Sequence, residues 1–121
     1  MTILDERPTI GVQIGAGLSE AHLAEVLYGV EEEGVPYTLT SAASTDPKAL
    51  AHAAAIASRL GIGIGAHGQT VVITTEKLPA DRPYIIEKLN ARRDLDRSVG
   101  ANAARLVKRM PLRRLDSGEQ P

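Results

Sequence analysis

The sequence predicts an α/β fold of three layers, with a five-stranded mixed sheet between helices. Three observations predict it. Short β-prone runs alternate with helical patterns along the 121 residues, as in α/β domains. These signals follow one another in the order β-α-β-α-β-β-β-α. The hydrophobic residues, 43% of the chain, include only three tyrosines and no phenylalanine or tryptophan. Such small aliphatic residues suit helices packed closely on a sheet.

The first strand and helix are predicted from one apolar run and the pattern after it. Residues 9–14 are predicted as a strand that enters a Gly15-Ala16-Gly17 turn. Ser19 is a candidate N-cap for the first helix, and Gly34 ends that helix. At the spacing i, i+3, i+4, i+7, the buried stripe of this helix contains Leu23, Val26, Leu27 and Val30.

The second strand and helix complete a β-α-β unit and extend it. Residues 37–40 alternate and are predicted to form a strand parallel to the first, joined to it by a right-handed crossover. Asp46-Pro47 is typical of a helix start. We expect this alanine-rich helix to continue to about residue 59, with Leu50, Ala54, Ala57 and Leu60 at helical spacing.

A hairpin is predicted in the middle of the chain. Residues 62–66 and 70–74 flank His67-Gly68-Gln69, so the fourth strand should be the one antiparallel strand. Residues 84–86 are the predicted fifth strand, after a loop that contains Pro79 and Pro83.

The last helix is predicted over residues 91–109, with an interruption at Gly100. The chain length fits one domain. We therefore assign residues 9–115 to a single α/β domain, residues 1–8 to an N-terminal extension and residues 116–121 to a flexible tail.

Composition excludes several classes of function. The chain has no cysteine, which excludes disulfides, thiol catalysis and thiolate metal sites. Few aromatic residues are present for stacking on nucleobases, and we expect no nucleic-acid partner. No apolar run is long enough to span a bilayer, and residues 1–8 are too polar for a signal peptide. We expect a cytoplasmic protein.

The charge is distributed unevenly. The net charge is −1, but residues 1–60 contain eight acids and three bases, and residues 61–121 contain seven acids and eleven bases. Halves of opposite sign commonly pair within one fold, and this is the interpretation we favour over two oppositely charged partner surfaces.

The motifs that suggest chemistry have simpler explanations. The residues from Gly63 to Gly68 match the dinucleotide pattern G-x-G-x-x-G, but a strand follows them where a helix is required. Gly61, Gly63 and Gly65 instead lie at every second position, leaving one strand face bare for helix packing. The Gly15–Ser19 turn precedes a helix, where anions can bind, but Glu20 there opposes a phosphate.

We identify no catalytic residues. The three histidines, His22, His52 and His67, lack the spacing of a helical metal site. No serine lies in a Gly-x-Ser-x-Gly context. The bases of the last helix are explained by its dipole and a solvated face.

The acidic run Glu31-Glu32-Glu33 stands out because acids in the last turn of a helix are unfavourable. At about 100° per residue, Glu32 points opposite the buried stripe, and Glu31 and Glu33 flank it. The residues Ala21, Glu25, Tyr28 and Gly29 are predicted on the same outward face. This strip suits docking against another protein. Burial of Glu32 inside its own subunit, or an internal ion pair there, would remove the basis of that role.

Four segments together resemble the small subunits of diol and glycerol dehydratase reactivases, also called dehydratase medium-subunit-like proteins. In order, they are residues 29–36, 61–64, 78–83 and 100–111. The resemblance implies a fold similar to the dehydratase β subunit and a partner, a large ATPase subunit, in a mixed heterotetramer. It also implies a non-catalytic chaperone for the adenosylcobalamin-dependent enzyme, which exchanges with the β subunit so that damaged cobalamin is released.

The resemblance also implies the site residues. ATP or ADP binds the large subunit only, and Glu32 reaches a Mg²⁺ or Ca²⁺ ion held there. The outward strip of the first helix, rather than the resemblance, supplies the other expected partner-binding residues, so that the set is Glu25, Tyr28, Gly29, Glu31 and Glu32. No cofactor is expected in the isolated chain. The client alcohol, self-association of the free chain and association with a bacterial microcompartment stay open. The alternatives are a flavodoxin-like domain that binds a small ligand or phosphate at the Gly15–Ser19 turn, and a dehydratase subunit.

Overall fold

A computed structural model describes residues 7–115, which form five strands and three α-helices. The elements are β1 (Ile10–Ile14), α1 (Ala24–Glu32), β2 (Tyr37–Ser41), α2 (Pro47–Ala57), β3 (Ile62–His67), β4 (Thr70–Thr75), β5 (Ile85–Lys88) and α3 (Arg93–Lys108). A short 3-10 turn, Glu20–Leu23, precedes α1. The predicted order of elements is confirmed. Most of the predicted extension at residues 1–8, and the predicted tail at 116–121, lie outside the described residues.

The sheet has the strand order β2-β1-β3-β4-β5. The β1 strand lies between β2 and β3 and pairs in parallel with both. The β4 strand pairs antiparallel with β3 and β5, so it alone runs against the others. The prediction of a mixed five-stranded sheet with one antiparallel strand is confirmed.

Glycines hold α2 against one face of the sheet. A Cβ added to Gly63 would lie 2.9 Å from the Ala54 carbonyl carbon, and one added to Gly65 would lie 2.8 Å from the Ala51 Cα. The predicted bare face is therefore confirmed for these two residues. It is wrong for Gly61, which precedes β3 in a turn with φ +73°.

Large aliphatic side chains fill the other face of the sheet, where α1 and α3 lie side by side. Val12, Ile64 and Ile73 are fully or almost fully buried there. The predicted stripe of α1 is confirmed, since all four of its residues are buried in the same core, namely Leu23, Val26, Leu27 and Val30. The three layers are thus α1 and α3, the sheet, and α2.

The end of α2 and the continuity of α3 differ from the prediction. The α2 helix ends at Ala57 because Ser58 is extended, with ψ 132°, and the Ser58 hydroxyl donates to the Thr9 carbonyl at 2.6 Å. The α3 helix is not interrupted at Gly100. A Cβ there would lie 2.7 Å from the Val26 carbonyl carbon, so this glycine permits a close crossing of α1 and α3.

Candidate partner interface

Arg97 of α3 draws two acids of α1 together. The Glu25 carboxylate accepts from the Arg97 Nη2 at 2.6 Å and from its Nε at 3.0 Å. The Glu32 Oε2 accepts from the Arg97 Nη1 at 2.8 Å. The guanidinium also lies 5.6 Å from the centre of the Tyr28 ring, within the range of a cation–π contact. One arginine therefore organises the outer surface of α1.

Glu33 is held by two other bases of α3. Its carboxylate lies 3.1 Å from the Arg105 Nη2 and 2.8 Å from the Lys108 Nζ, and Lys108 also donates to the Glu33 carbonyl at 2.8 Å. The hydrogen bond from Lys108, together with Arg105, lowers the pKa of the Glu33 carboxyl below its usual value, although burial opposes the shift.

These pairs explain how the acids at the end of α1 are tolerated. Cations from α3 lie beside the last turn, where the helix dipole disfavours negative charge. The predicted pairing between the acidic and basic halves of the chain is confirmed. The predicted explanation of the α3 bases, a solvated face, is wrong for Arg97, Arg105 and Lys108 because each contacts an acid of α1.

Glu32 projects outward as predicted, with 51% of its side chain exposed. It is not independent of its own subunit, however, because Arg97 binds one of its oxygens. An ion pair between partly exposed groups contributes about 0.2–1 kcal/mol. This is the internal ion pair that removes the argument from helical geometry for a role of Glu32 in trans, and that role then rests on the resemblance alone. The free energy of the pair is small, and a stronger ligand of the carboxylate can offset it.

Gly29 does not lie on the outward strip, and its predicted position is wrong. It is buried against α3, where an added Cβ would lie 2.8 Å from the Ala101 backbone nitrogen. Glu25 is turned toward α3, with 23% of its side chain exposed. Tyr28, Glu31 and Glu32 are the predicted partner residues with exposed side chains.

A groove runs between α1 and β2 beside these residues. It encloses about 520 Å³ and is lined by Glu20, Ala21, Ala24, Leu27, Tyr28, Glu31 and Tyr37. Burial raises the pKa of the Tyr37 phenol above its usual value, and the carboxylates of Glu31 and Glu20 raise it further. The sequence alone does not place Glu20 and Tyr37 at this site, because only the folding of β2 beside α1 brings them to the strip.

The other candidate motifs have structural roles. The residues from Gly63 to Gly68 form β3 and its hairpin to β4, so no helix follows the glycines. In the strand-to-helix turn, the Ser19 backbone N–H donates to the His22 Nδ1 at 2.9 Å. The Ser19 N–H is therefore not available to a phosphate bound at this turn, which is the site that the flavodoxin-like alternative requires. Among residues 7–115, no group of three or more potential metal ligands lies together.

The sequence profile of the dehydratase medium subunit matches residues 7–113. The chain belongs to this family. The propanediol dehydratase-reactivating factor small subunit of Citrobacter freundii is 36% identical to it over 110 residues, which cover 91% of this chain and 94% of the relative. The diol dehydratase-reactivating factor small subunit of Klebsiella michiganensis is 38% identical over 99 residues, 79% of each chain.

Two solved structures of reactivating factors contain a chain with the same fold as this protein. A chain of the diol dehydratase-reactivating factor complexed with ADP and Mg²⁺ superimposes with a TM-score of 0.84 at 33% identity, covering 90% of this chain and 100% of that one. A chain of a glycerol dehydratase reactivase gives a TM-score of 0.85 at 32% identity, covering 91% and 100%. The fold of this family member is that of the reactivase small subunits. Its described helices include none with the length and apolarity to cross a membrane.

Proposed function

We propose that this protein is the non-catalytic small subunit of an ATP-dependent reactivating factor for an adenosylcobalamin-dependent diol or glycerol dehydratase. The observation that carries the proposal is similarity to reactivating-factor small subunits over nearly the whole of both chains. The proposal includes a large ATPase subunit as partner, in a mixed heterotetramer, and ATP hydrolysis by that subunit alone. It places the protein in the cytoplasm, with or without a bacterial microcompartment around its client.

The proposed mechanism is an exchange of subunits. The small subunit leaves the ATPase, the dehydratase β subunit occupies its place, and the inactivated dehydratase loosens and releases damaged cobalamin. A small subunit that resembles the dehydratase β subunit in fold suits this exchange, since two similar surfaces can compete for one binding site.

Within this proposal, Glu32 gives one ligand to a Mg²⁺ or Ca²⁺ ion held by the large subunit. Carboxylate oxygen is a preferred ligand of both ions. The fit is partial. The Glu32 Oε2 is bound to Arg97, whereas the Oε1 has no hydrogen bond to another described residue. The cation's remaining ligands must come from the partner. Tyr28 and Glu31 extend the proposed interface, and Glu25 supports it by holding Arg97.

The test is the association constant between this chain and its large subunit, measured by isothermal titration with and without Mg²⁺. We expect Glu32→Gln to weaken association by roughly tenfold or more in Mg²⁺, comparable to the loss of a metal contact, and to have little effect in EDTA. The free energy of unfolding should fall by at most about 1 kcal/mol, since only an exposed ion pair is lost.

The matched control is Glu76→Gln, which removes an exposed carboxylate that follows β4. It should bind as the wild type does. Equal affinity of wild type and Glu32→Gln in Mg²⁺ would refute the metal role of Glu32. Absence of any complex with the large subunit would refute the proposed function itself.

A further inference from the structure

The groove between α1 and β2 carries two carboxylates that no base among the described residues neutralises. Among residues 7–115, Glu20 and Glu31 form no ion pair, while Glu25, Glu32 and Glu33 are each paired with a base of α3. The bases of α3 thus neutralise the acids on the neighbouring side of α1. The groove is left with a negative rim.

The floor and walls of the groove are apolar and aromatic. Ala21 of the 3-10 turn and Ala24 and Leu27 of α1 supply its aliphatic lining, and Tyr28 and Tyr37 are its two aromatic rings. Tyr28 has 49% of its surface exposed, as does Tyr84 outside the groove, so its ring is accessible to a ligand. A ligand with an apolar stem and a cationic end would bury these surfaces and neutralise the rim.

We propose that this groove is a docking site for an arginine or lysine side chain that a protein partner presents. The aliphatic stem would lie on the alanines and Leu27, as long basic side chains commonly do on apolar surface. The charged end would lie near Glu20 or Glu31 and the face of the Tyr37 ring, where cations are attracted, since Arg97 already lies over the Tyr28 ring. Arginine fits better than lysine because its planar guanidinium stacks on rings and binds carboxylates with two hydrogen bonds.

The position of the groove identifies the partner as the one that covers α1. Glu31 lines the groove and adjoins Glu32 in sequence, so a protein bound over Glu32 also covers the groove. This inference therefore rests on the proposed function and adds to it the charge of the partner's contact segment. Charge pairs at such an interface mainly raise the association rate and orient the partner.

A first experiment needs no partner. The isolated chain is titrated with arginine amide while the ring resonances of Tyr28 and Tyr37 are followed by NMR. Citrulline amide, which has the same α-ammonium group and a similar shape but an uncharged side chain, serves as the control. We expect saturable shifts with arginine amide only, and their loss in Glu20→Gln/Glu31→Gln. Equal shifts with both compounds, or none with either, would overturn the inference.

A second experiment uses the complex with the large subunit. Glu20→Gln and Glu31→Gln should each weaken association by about tenfold, and Glu31→Lys by more. Asp81→Asn, which removes an exposed acid from the loop before β5, should leave it unchanged. If the wild type binds the large subunit and both glutamine variants bind equally well, the groove is not the contact, although the proposed function survives. If the wild type does not bind at all, the proposed function fails.

Two other occupants would also overturn the inference. A second copy of the chain in the groove would appear as a dimer in sedimentation that Glu31→Lys disrupts. Occupation by residues 1–6 of the same chain would appear as a change in the Tyr28 and Tyr37 resonances when those residues are deleted.

Discussion

At the crossing of α1 and α3, two physical effects of one substitution predict opposite signs for the change in the free energy of unfolding. Replacing Gly29 by alanine in the middle of α1 should stabilise an isolated helix by about 1 kcal/mol, because glycine has the lower helix propensity. In the folded protein, the added Cβ would clash with the Arg97 carbonyl and lie 2.8 Å from the Ala101 nitrogen. Both are backbone atoms of α3, which a rotamer change cannot move aside.

The clash should dominate. Forcing a methyl group into a packed contact typically costs about 1–3 kcal/mol, and here the two helices must move apart along their whole crossing. We therefore expect Gly29→Ala to lower the free energy of unfolding by up to about 2 kcal/mol after the gain in propensity of about 1 kcal/mol is subtracted. The same displacement should lengthen the contacts between Arg97 and Glu25 and so weaken binding to the large subunit.

The assay is urea denaturation followed by far-UV circular dichroism, with the slope against urea concentration unchanged. Ala53→Gly, at an exposed position of α2, measures the propensity effect alone and should cost about 1 kcal/mol. Gly100→Ala should also destabilise the chain, and the double variant should lose less than the sum, because helices already moved apart accommodate the second methyl group. A Gly29→Ala protein more stable than wild type would refute the reasoning.

Two further predictions concern buried or paired carboxylates. The pKa of the Glu33 carboxyl is lowered in the folded state, so its stabilising effect is present above the unfolded pKa and is lost as pH falls through the folded value; Glu33→Gln should thus be less stable than wild type at pH 7, with the difference vanishing in acid, as thermal melts across pH would show. Burial raises the pKa of the Asp96 carboxyl, although the Asn90 backbone N–H donates to it at 3.1 Å, and its charge therefore opposes folding as pH rises through the unfolded pKa. Asp96→Asn, which keeps an acceptor, should be as stable as wild type or more so at pH 7, whereas Asp96→Ala should lose about 1–3 kcal/mol by leaving that N–H unpaired; equal losses in the two variants would contradict this account.

Local patterns were sufficient for most of the fold. The Asp46-Pro47 start of α2 was predicted, and the Asp46 carboxylate accepts from the Lys48 backbone N–H at 3.0 Å. The hairpin from β3 to β4 was recognised because its turn lies between two β-prone runs. Capping, helical spacing and turn chemistry act over a few residues, so a single sequence expresses them directly.

The surroundings of the acidic run depend on contacts with distant residues, which local patterns do not reveal. Helical geometry placed Glu32 outward, but its contact with Arg97 joins residues 65 positions apart. One helix seen alone does not reveal a second helix beside it, so helical geometry by itself puts Gly29 on the outward strip and indicates an interruption at Gly100. In the structure, both glycines serve one close crossing of α1 and α3.

The sequence by itself determined the order of the elements, the single antiparallel strand, the buried stripe of α1 and the resemblance to reactivase small subunits. Each of these depends on interactions within one element or between neighbouring ones, or on motifs in fixed order. Only the tertiary structure decided which acids of α1 are neutralised by α3 and which remain in the groove beside β2. Those pairings depend on the lateral packing of helices and strands from distant parts of the chain, and no local pattern of residues encodes that packing.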